Sequence, residues 1–343
     1  MDVKDTLLKL CKAHGVSGRE DEIATLIKTM LASYSDSIFL NPLGSVVAKI
    51  SEAHENYPEV LLEAHIDQVG LVVTSITDDG FLTVANCGAI DVSLLISQEV
   101  IVCGKKDIHG IVCSIPPHLK RSKKKAALTV DDIYVDVGMS KSEAEKTINV
   151  GDVVIYNYNP VFLMENKISV KSLDNRAGVM AVLLALEKLK QVDYKCGLTV
   201  AFSSMEETSG KGAATSGYFV NPDLAICVDV SFAQTVDCPK NKCGGMGKGP
   251  MIGISPTLDF NLSSKLQNIA KDKNIPYQLE VMGGATSTDA DKICVARDGV
   301  VTGLCSIPLK YMHSPVEVVD VEDIENTANL LANFVMLCKD DVI

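Results

Sequence analysis

With 343 residues, the chain is long for one ordinary core and suits two domains, or one large domain carrying an insert. A hydrophobic share of 47% allows a sizeable core, and a charged share of 22% argues against disorder. Its 44 acidic and 32 basic residues leave a net charge of −12, which excludes a global pull on nucleic acid; the one basic run, Lys120, Arg121 and Lys123–Lys125, lacks interleaved aromatics and reads as a solvated loop.

The elements, taken in order, alternate in character. Ile23, Leu26, Ile27, Met30, Leu31 and Tyr34 recur at helical spacing and predict an amphipathic helix. After the Asn41–Gly44 turn, Ser45–Ile50 and Pro58–His65 read as strands, the second nearly all apolar, as a strand buried on both faces would be. From about 69 to 163 the pattern becomes short strands between Gly, Asp and Pro turns. These are Gly70–Thr77, Phe81–Asn86, Glu99–Cys103, Ile108–Ile115, Ile133–Val137 and Asp152–Tyr156, with a short helix at Ser142–Lys146. Beyond it come helix Ala177–Leu189, strands Gly197–Ser203 and Leu224–Asp229, helix Leu262–Lys271, strand Val300–Cys305 and helix Val321–Leu337. The expected fold class is α/β: a mixed, mainly parallel sheet covered by helices, formed by 1–68 and 164–343, with 69–163 as an inserted β-rich domain.

The 11 cysteines sit mostly within apolar runs and form no CxxC, so they read as free thiols rather than a disulfide scaffold or zinc ribbon. The N-terminal Met-Asp-Val-Lys-Asp lacks a signal peptide's apolar stretch, and no apolar run approaches the roughly 20 residues of a membrane span. The expected compartment is the reducing cytoplasm.

Open α/β sheets place their sites at the carboxyl ends of strands, and several polar residues fall there. One apolar run leads into His65-Ile66-Asp67, another toward Glu206-Glu207, a third into Asp229. His65 and Asp67 share one face of an extended chain, so the carboxylate can orient an imidazole bound to metal. Adjacent acids are ordinarily a solvated turn, but Glu206-Glu207 ends a buried strand and precedes Gly210-Lys211-Gly212. One acid can bind metal while its neighbour takes a proton from metal-bound water. Asp174 reads equally as a helix N-cap, Asp229 as a strand-end acid and His313 as a loop histidine. His14, His54, His109 and His118 lack a strand-end setting and read as structural. The cluster Gly244–Pro250 lacks the spacing of a phosphate loop, and no GxSxG elbow occurs.

The stretches EAHIDQVG (63–70), SLDNRAG (172–178), MEETSGKGA (205–213), VDVSFA (228–233), GKGP (247–250) and YMHSPVEVV (311–319) occur in one order along the chain. Together they resemble the M42 family of metallo-aminopeptidases. The resemblance implies that His65 and Asp229 bind one metal, Glu207 and His313 the other, and Asp174 both. It implies that Asp67 orients His65, that Glu206 is the general base, and that the Asp174–Asn175 peptide is cis, as in the related clan. Two divalent ions, zinc or cobalt, are implied as cofactors, and mixed N/O ligation suits them. Short peptides are the implied substrates, and self-association, as a dodecamer built through the 69–163 block, the implied assembly. No nucleic-acid or membrane partner is expected. A deacylase of acylated amino acids, a hydrolase labelled a glucanase and a non-catalytic assembly protein stay open as alternatives. Ser255–Phe260 and Gly283–Asp289 are the segments expected to line the substrate pocket, and the preferred terminal residue is not legible.

Overall fold

The computed structural model describes residues 1–116 and 128–338. The basic run and His118 lie outside the described residues. Two sheets organise the chain, one large and open, the other closed into a barrel. Helices α1 (Val3–Lys12) and α2 (Asp21–Leu31) precede strands β1 (Ser37–Leu40), β2 (Val46–Ser51) and β3 (Glu59–His65). The barrel follows: β4 (Gly70–Ile76), β5 (Leu82–Cys87), β6 (Glu99–Cys103), β7 (Asp107–Ser114), β8 (Ile133–Asp136), helix α3 (Lys141–Thr147) and β9 (Val153–Tyr156). The chain returns to the large sheet through β10 (Val161–Phe162), β11 (Lys167–Ser169), α4 (Leu173–Leu189), β12 (Gly197–Ser203), α5 (Lys211–Val220) and β13 (Leu224–Phe232). It closes with β14 (Met251–Ile254), α6 (Phe260–Asp272), β15 (Gln278–Val281), α7 (Ala290–Ile293), β16 (Val301–Lys310), β17 (Val318–Asp320) and α8 (Val321–Leu337).

The large sheet runs β1-β2-β12-β3-β13-β16-β17-β11-β10, with β14 joined to β16 and β15 to β14. Its centre, β12-β3-β13-β16, is parallel, and both flanks are antiparallel. The parallel strands are apolar along nearly their whole length because helices cover both faces. Residues 198–203 and 224–228 are all buried. Helix α4 is buried almost end to end, as expected for a helix enclosed by the sheet and by α1 and α8. Several helices start on an acid that accepts from the first turn: Asp2 for α1, Asp259 for α6, Asp320 for α8.

The barrel closes in the order β4-β5-β8-β7-β6-β9, every pair antiparallel. Leu71, Val73, Leu82, Val84, Val102 and Val135 fill a core separate from that of the large sheet. Closure removes the exposed edges that six short strands would otherwise present. The six strands expected from the sequence here are all present within a few residues. α1, β1, β10, β11, α5, β14, β15, α7 and β17 are additions, and β13 runs three residues past Asp229.

Candidate active site

The central parallel strands deliver their polar residues to one end of the sheet. β3 ends on His65, in register with Ser203 of β12. Glu206 and Glu207 occupy the turn after β12, Asp229 lies on β13, and His313 sits in the turn after β16. Asp174 precedes the regular part of α4, and the Asp174–Asn175 peptide is cis, as the resemblance implies. Asn175 fixes this entry: its side-chain amide donates to the Val228 carbonyl at 2.7 Å and its side-chain oxygen accepts from Gly178 at 3.0 Å.

Asp174 joins the two imidazoles. Its Oδ1 lies 3.1 Å from His65 Nε2, and its Oδ2 lies 3.2 Å from His313 Nε2. Asp229 Oδ1 stands 3.6 Å from His65 Nε2, and Glu207 Oε2 stands 3.2 Å from His313 Nε2. Two donor groups result, His65–Asp174–Asp229 and Asp174–Glu207–His313, each with its ligand atoms within 4.8 Å of one another. Asp174 belongs to both. Glu206 lies outside these groups, 4.0 Å from His65 Nε2. The sequence therefore named seven residues that the fold brings together, and none of them lies elsewhere.

Glycines explain the turn that holds the two glutamates. Gly210 has φ +64°, and a Cβ on Gly212 would lie 2.1 Å from the Ser204 carbonyl oxygen. Only glycine lets the start of α5 approach the end of β12 this closely.

Two buried carboxylates pin the backbone around the donors. Asp67 accepts from the main-chain N–H of Glu206 at 2.9 Å and of Glu207 at 3.1 Å, and from the Ser17 hydroxyl. It also stands 3.4 Å from His65 Nδ1, in range of an ion pair but without hydrogen-bond geometry. Glu317 does the equivalent work on the other side. It accepts from the N–H of Asp174 at 3.1 Å and of His313 at 2.7 Å. Sequence reasoning missed Glu317, although it falls within the YMHSPVEVV stretch, immediately before β17. The His313 ring is set by a residue of the barrel block: Nδ1 lies 2.7 Å from the Ala89 carbonyl oxygen. That contact fixes the tautomer that leaves Nε2 free as a ligand.

The electrostatics are those of a cluster built for cations. Burial pushes Glu206 up to about 9, reinforced by Asp229, Glu207 and Asp174 and opposed by His65. Burial and the Asp174 charge bring Glu207 up to about 7. Burial lowers His313, but hydrogen bonds to Asp174 and Glu207 outweigh it and carry the imidazole to about 11. Burial raises Asp174, yet His313 and His65 hold it well below the usual carboxylate range. Four acids and two imidazoles compete for protons in a space where full ionisation has no counter-charge. Among the described residues, Glu207 Oε1 and His65 Nδ1 are buried and find no hydrogen-bond partner. This donor set, with carboxylate oxygens and imidazole nitrogens, fits divalent cations.

The donors open into a cleft of about 390 Å³. Thr286, Ser287 and Thr288 line it, within the expected 283–289 segment. The expected Ser255–Phe260 segment does not; Ser255 instead donates its hydroxyl to the Gly284 carbonyl. The missing wall comes from β13, β15 and β16, through Ser231, Glu280 and Ser306, all of which lie beyond the strands expected from the sequence. A third group, His14–Cys103–Asp107, lies outside the cleft lining.

A polar cleft at the carboxyl ends of parallel strands, with convergent titratable groups, is the site of an α/β enzyme. The M42 glutamyl aminopeptidase family matches residues 44–330, and the chain belongs to that family of hydrolases acting on peptide bonds. It is 32% identical over 332 residues to a lysyl aminopeptidase of Pyrococcus furiosus, covering 95% of this chain and 94% of that one. The fold is similar to that of the aminopeptidase APDkam598 from the archaeon Desulfurococcus kamchatkensis. There the TM-score is 0.93 and the identity 32%, over 99% of this chain and 96% of that one. It is also similar to the Pyrococcus horikoshii TET1 peptidase, which can assemble into a tetrahedron or a large octahedral shell (TM-score 0.84, 29% identity, 98% and 100% covered).

Proposed function

We propose that this chain is a two-metal aminopeptidase that removes N-terminal residues from short peptides, with Glu206 as general base. The observation that carries the reading is the pair of donor groups sharing Asp174, with Glu206 beside them and outside both. His65 and Asp229 would hold one ion, Glu207 and His313 the other, and Asp174 both. Zinc or cobalt suits this ligation. Bound there, the ions supply an acidified water and polarise the scissile carbonyl. Glu206 takes the proton of the attacking water and returns it to the leaving amine. Asp67 orients His65 and holds the Glu206–Glu207 turn in reach of the cleft.

Residues 1–68 and 164–343 form the catalytic unit in this proposal, and 69–163 an inserted domain for assembly. Self-association into a chambered oligomer is supported by the assemblies of the TET1 peptidase. It is also supported by the exposed apolar run Val161–Met164, which begins on the edge strand β10. Among the described residues no cysteine is in a disulfide, which fits a reducing cytoplasm. Among the described residues no helix is long and apolar enough to cross a membrane.

The test is turnover on a panel of aminoacyl amides, with an acylated amino acid and an oligoglucan as further arms, and metal content on the same sample. We expect two ions per chain and release of N-terminal residues from the amides. A sample that holds two ions and cleaves only another arm, or none, contradicts the reading.

A further inference from the structure

Glu280 is the one charged residue of the cleft wall that belongs neither to the donor groups nor to the proton-transfer role. It lies on β15, where its neighbours Leu279 and Val281 face outward and are 49% and 73% exposed. Both of its oxygens are held. The Ser231 hydroxyl donates to Oε1, and the Ser306 hydroxyl donates to Oε2 at 2.6 Å. Among the described residues these hydroxyls are its only hydrogen-bond partners, and the cleft lining contains no Lys or Arg.

The register places this carboxylate relative to the chemistry. Ser231 lies two residues beyond Asp229 on β13, on the same face of the strand. Ser306 pairs directly with Asp229 across β13 and β16. Strand spacing of about 4.8 Å and a rise of about 3.3 Å per residue put both hydroxyls roughly 5–7 Å from Asp229. Glu280 therefore stands about one long side chain from the donor cluster. Met282 and Leu304 line the same cleft and offer an apolar wall along that path.

We propose that Glu280 is the specificity residue of the subsite for the N-terminal side chain, and that the subsite takes lysine or arginine. This rests on the aminopeptidase reading and names its substrate class. A lysine stem packs on Met282 and Leu304 while its ammonium meets the Glu280 carboxylate, the usual arrangement for an amphipathic side chain. Each oxygen already accepts one hydroxyl hydrogen and keeps acceptor capacity for a cation. The serines hold the carboxylate in place before substrate arrives, which lowers the ordering cost of the ion pair. An acidic side chain would set a second carboxylate against Glu280 in a cleft already crowded with acids, so the glutamyl preference in the family's description is not expected here.

The experiment compares lysyl, norleucyl and glutamyl amides on the metal-loaded full chain. Norleucine matches the lysine stem and lacks the charge. Wild type is expected to favour lysyl over norleucyl amide in kcat/KM by on the order of tenfold or more, with glutamyl amide the poorest. Glu280→Gln should collapse the lysyl-to-norleucyl ratio toward one, and Glu280→Lys should invert the order of lysyl and glutamyl amides. Calorimetric binding of lysine and norleucine to the Glu206→Gln enzyme gives a readout independent of turnover, with lysine bound more tightly. Equal handling of lysine and norleucine by wild type, or a ratio unchanged in Glu280→Gln, overturns the subsite while leaving an aminopeptidase. Cleavage of no amide at all overturns the aminopeptidase reading and the subsite with it.

Discussion

His65 and His313 present the same ring nitrogen to the same carboxylate, yet different parts of the molecule hold them. His65 is 2% exposed, ends a central parallel strand and is backed by Asp67, two residues past that strand. His313 has a side chain 23% exposed, sits in a turn whose backbone is left-handed at φ 61°, and takes its orienting contact from Ala89 of the barrel block. Asp67 secures the first end together with the glutamate turn; Glu317 secures the second together with Asp174. The first end thus takes its ring-orienting contact from outside the barrel block. The second also takes a contact from the barrel block.

Asp174 belongs to both ends, and its removal has the largest expected effect. Asp174→Ala should lose both ions and all turnover above background, read by elemental analysis and amide hydrolysis. Retention of one ion at full occupancy would break the symmetry assigned to this carboxylate.

Next come the two pinning acids, which separate the ends. Glu317→Gln should weaken metal binding by roughly 10–100-fold, concentrated in the ion held by Glu207 and His313. Asp67→Asn should produce a loss of similar size, but centred on the His65 ion and on kcat, because Glu206 shifts with its backbone. Measuring the two binding steps separately in each variant distinguishes these outcomes. If both variants weaken the same step, the division between the ends is wrong.

The pH dependence tests the charge of the cluster. Without ions, His313 lies at about 11 and carries its proton at neutral pH, and Glu206 lies at about 9 and is likewise protonated. A cation must expel the His313 proton to bind. Affinity therefore rises with pH between 6 and 8, about tenfold per unit for each proton released. Calorimetry in buffers of different ionisation enthalpy reads that number directly, and no proton release contradicts it. The smallest effect is expected for Ser17→Ala. It removes one hydroxyl donor from Asp67 and should cost about 1–2 kcal/mol of stability by denaturant unfolding. It should also lower activity a few-fold.

The parts legible in the sequence were those with a side-chain signature. Apolar strands ending in His65, Glu206–Glu207 and Asp229 showed themselves through period and position, and the family stretches added Asp174 and His313. The barrel's strands were legible from their turns, but its closure was not, because pairing order is a long-range property. Ala89 acts through its carbonyl, which no side chain advertises. Glu317 reads as an acid in a polar-to-apolar transition until the fold buries it against two N–H groups. Glu280 occupies a strand position whose direction depends on which neighbour β15 pairs with, and that neighbour, β14, was itself not foreseen.

The proposed division of labour between Glu206 and Glu207 is tested by one paired measurement: metal content and amide turnover of Glu206→Gln beside Glu207→Gln. Glu206→Gln is expected to keep both ions and to lose roughly 10²–10⁴-fold in turnover, and Glu207→Gln to lose the ion proposed to lie between it and His313. The reverse pattern, metal lost from Glu206→Gln and retained by Glu207→Gln, would contradict it.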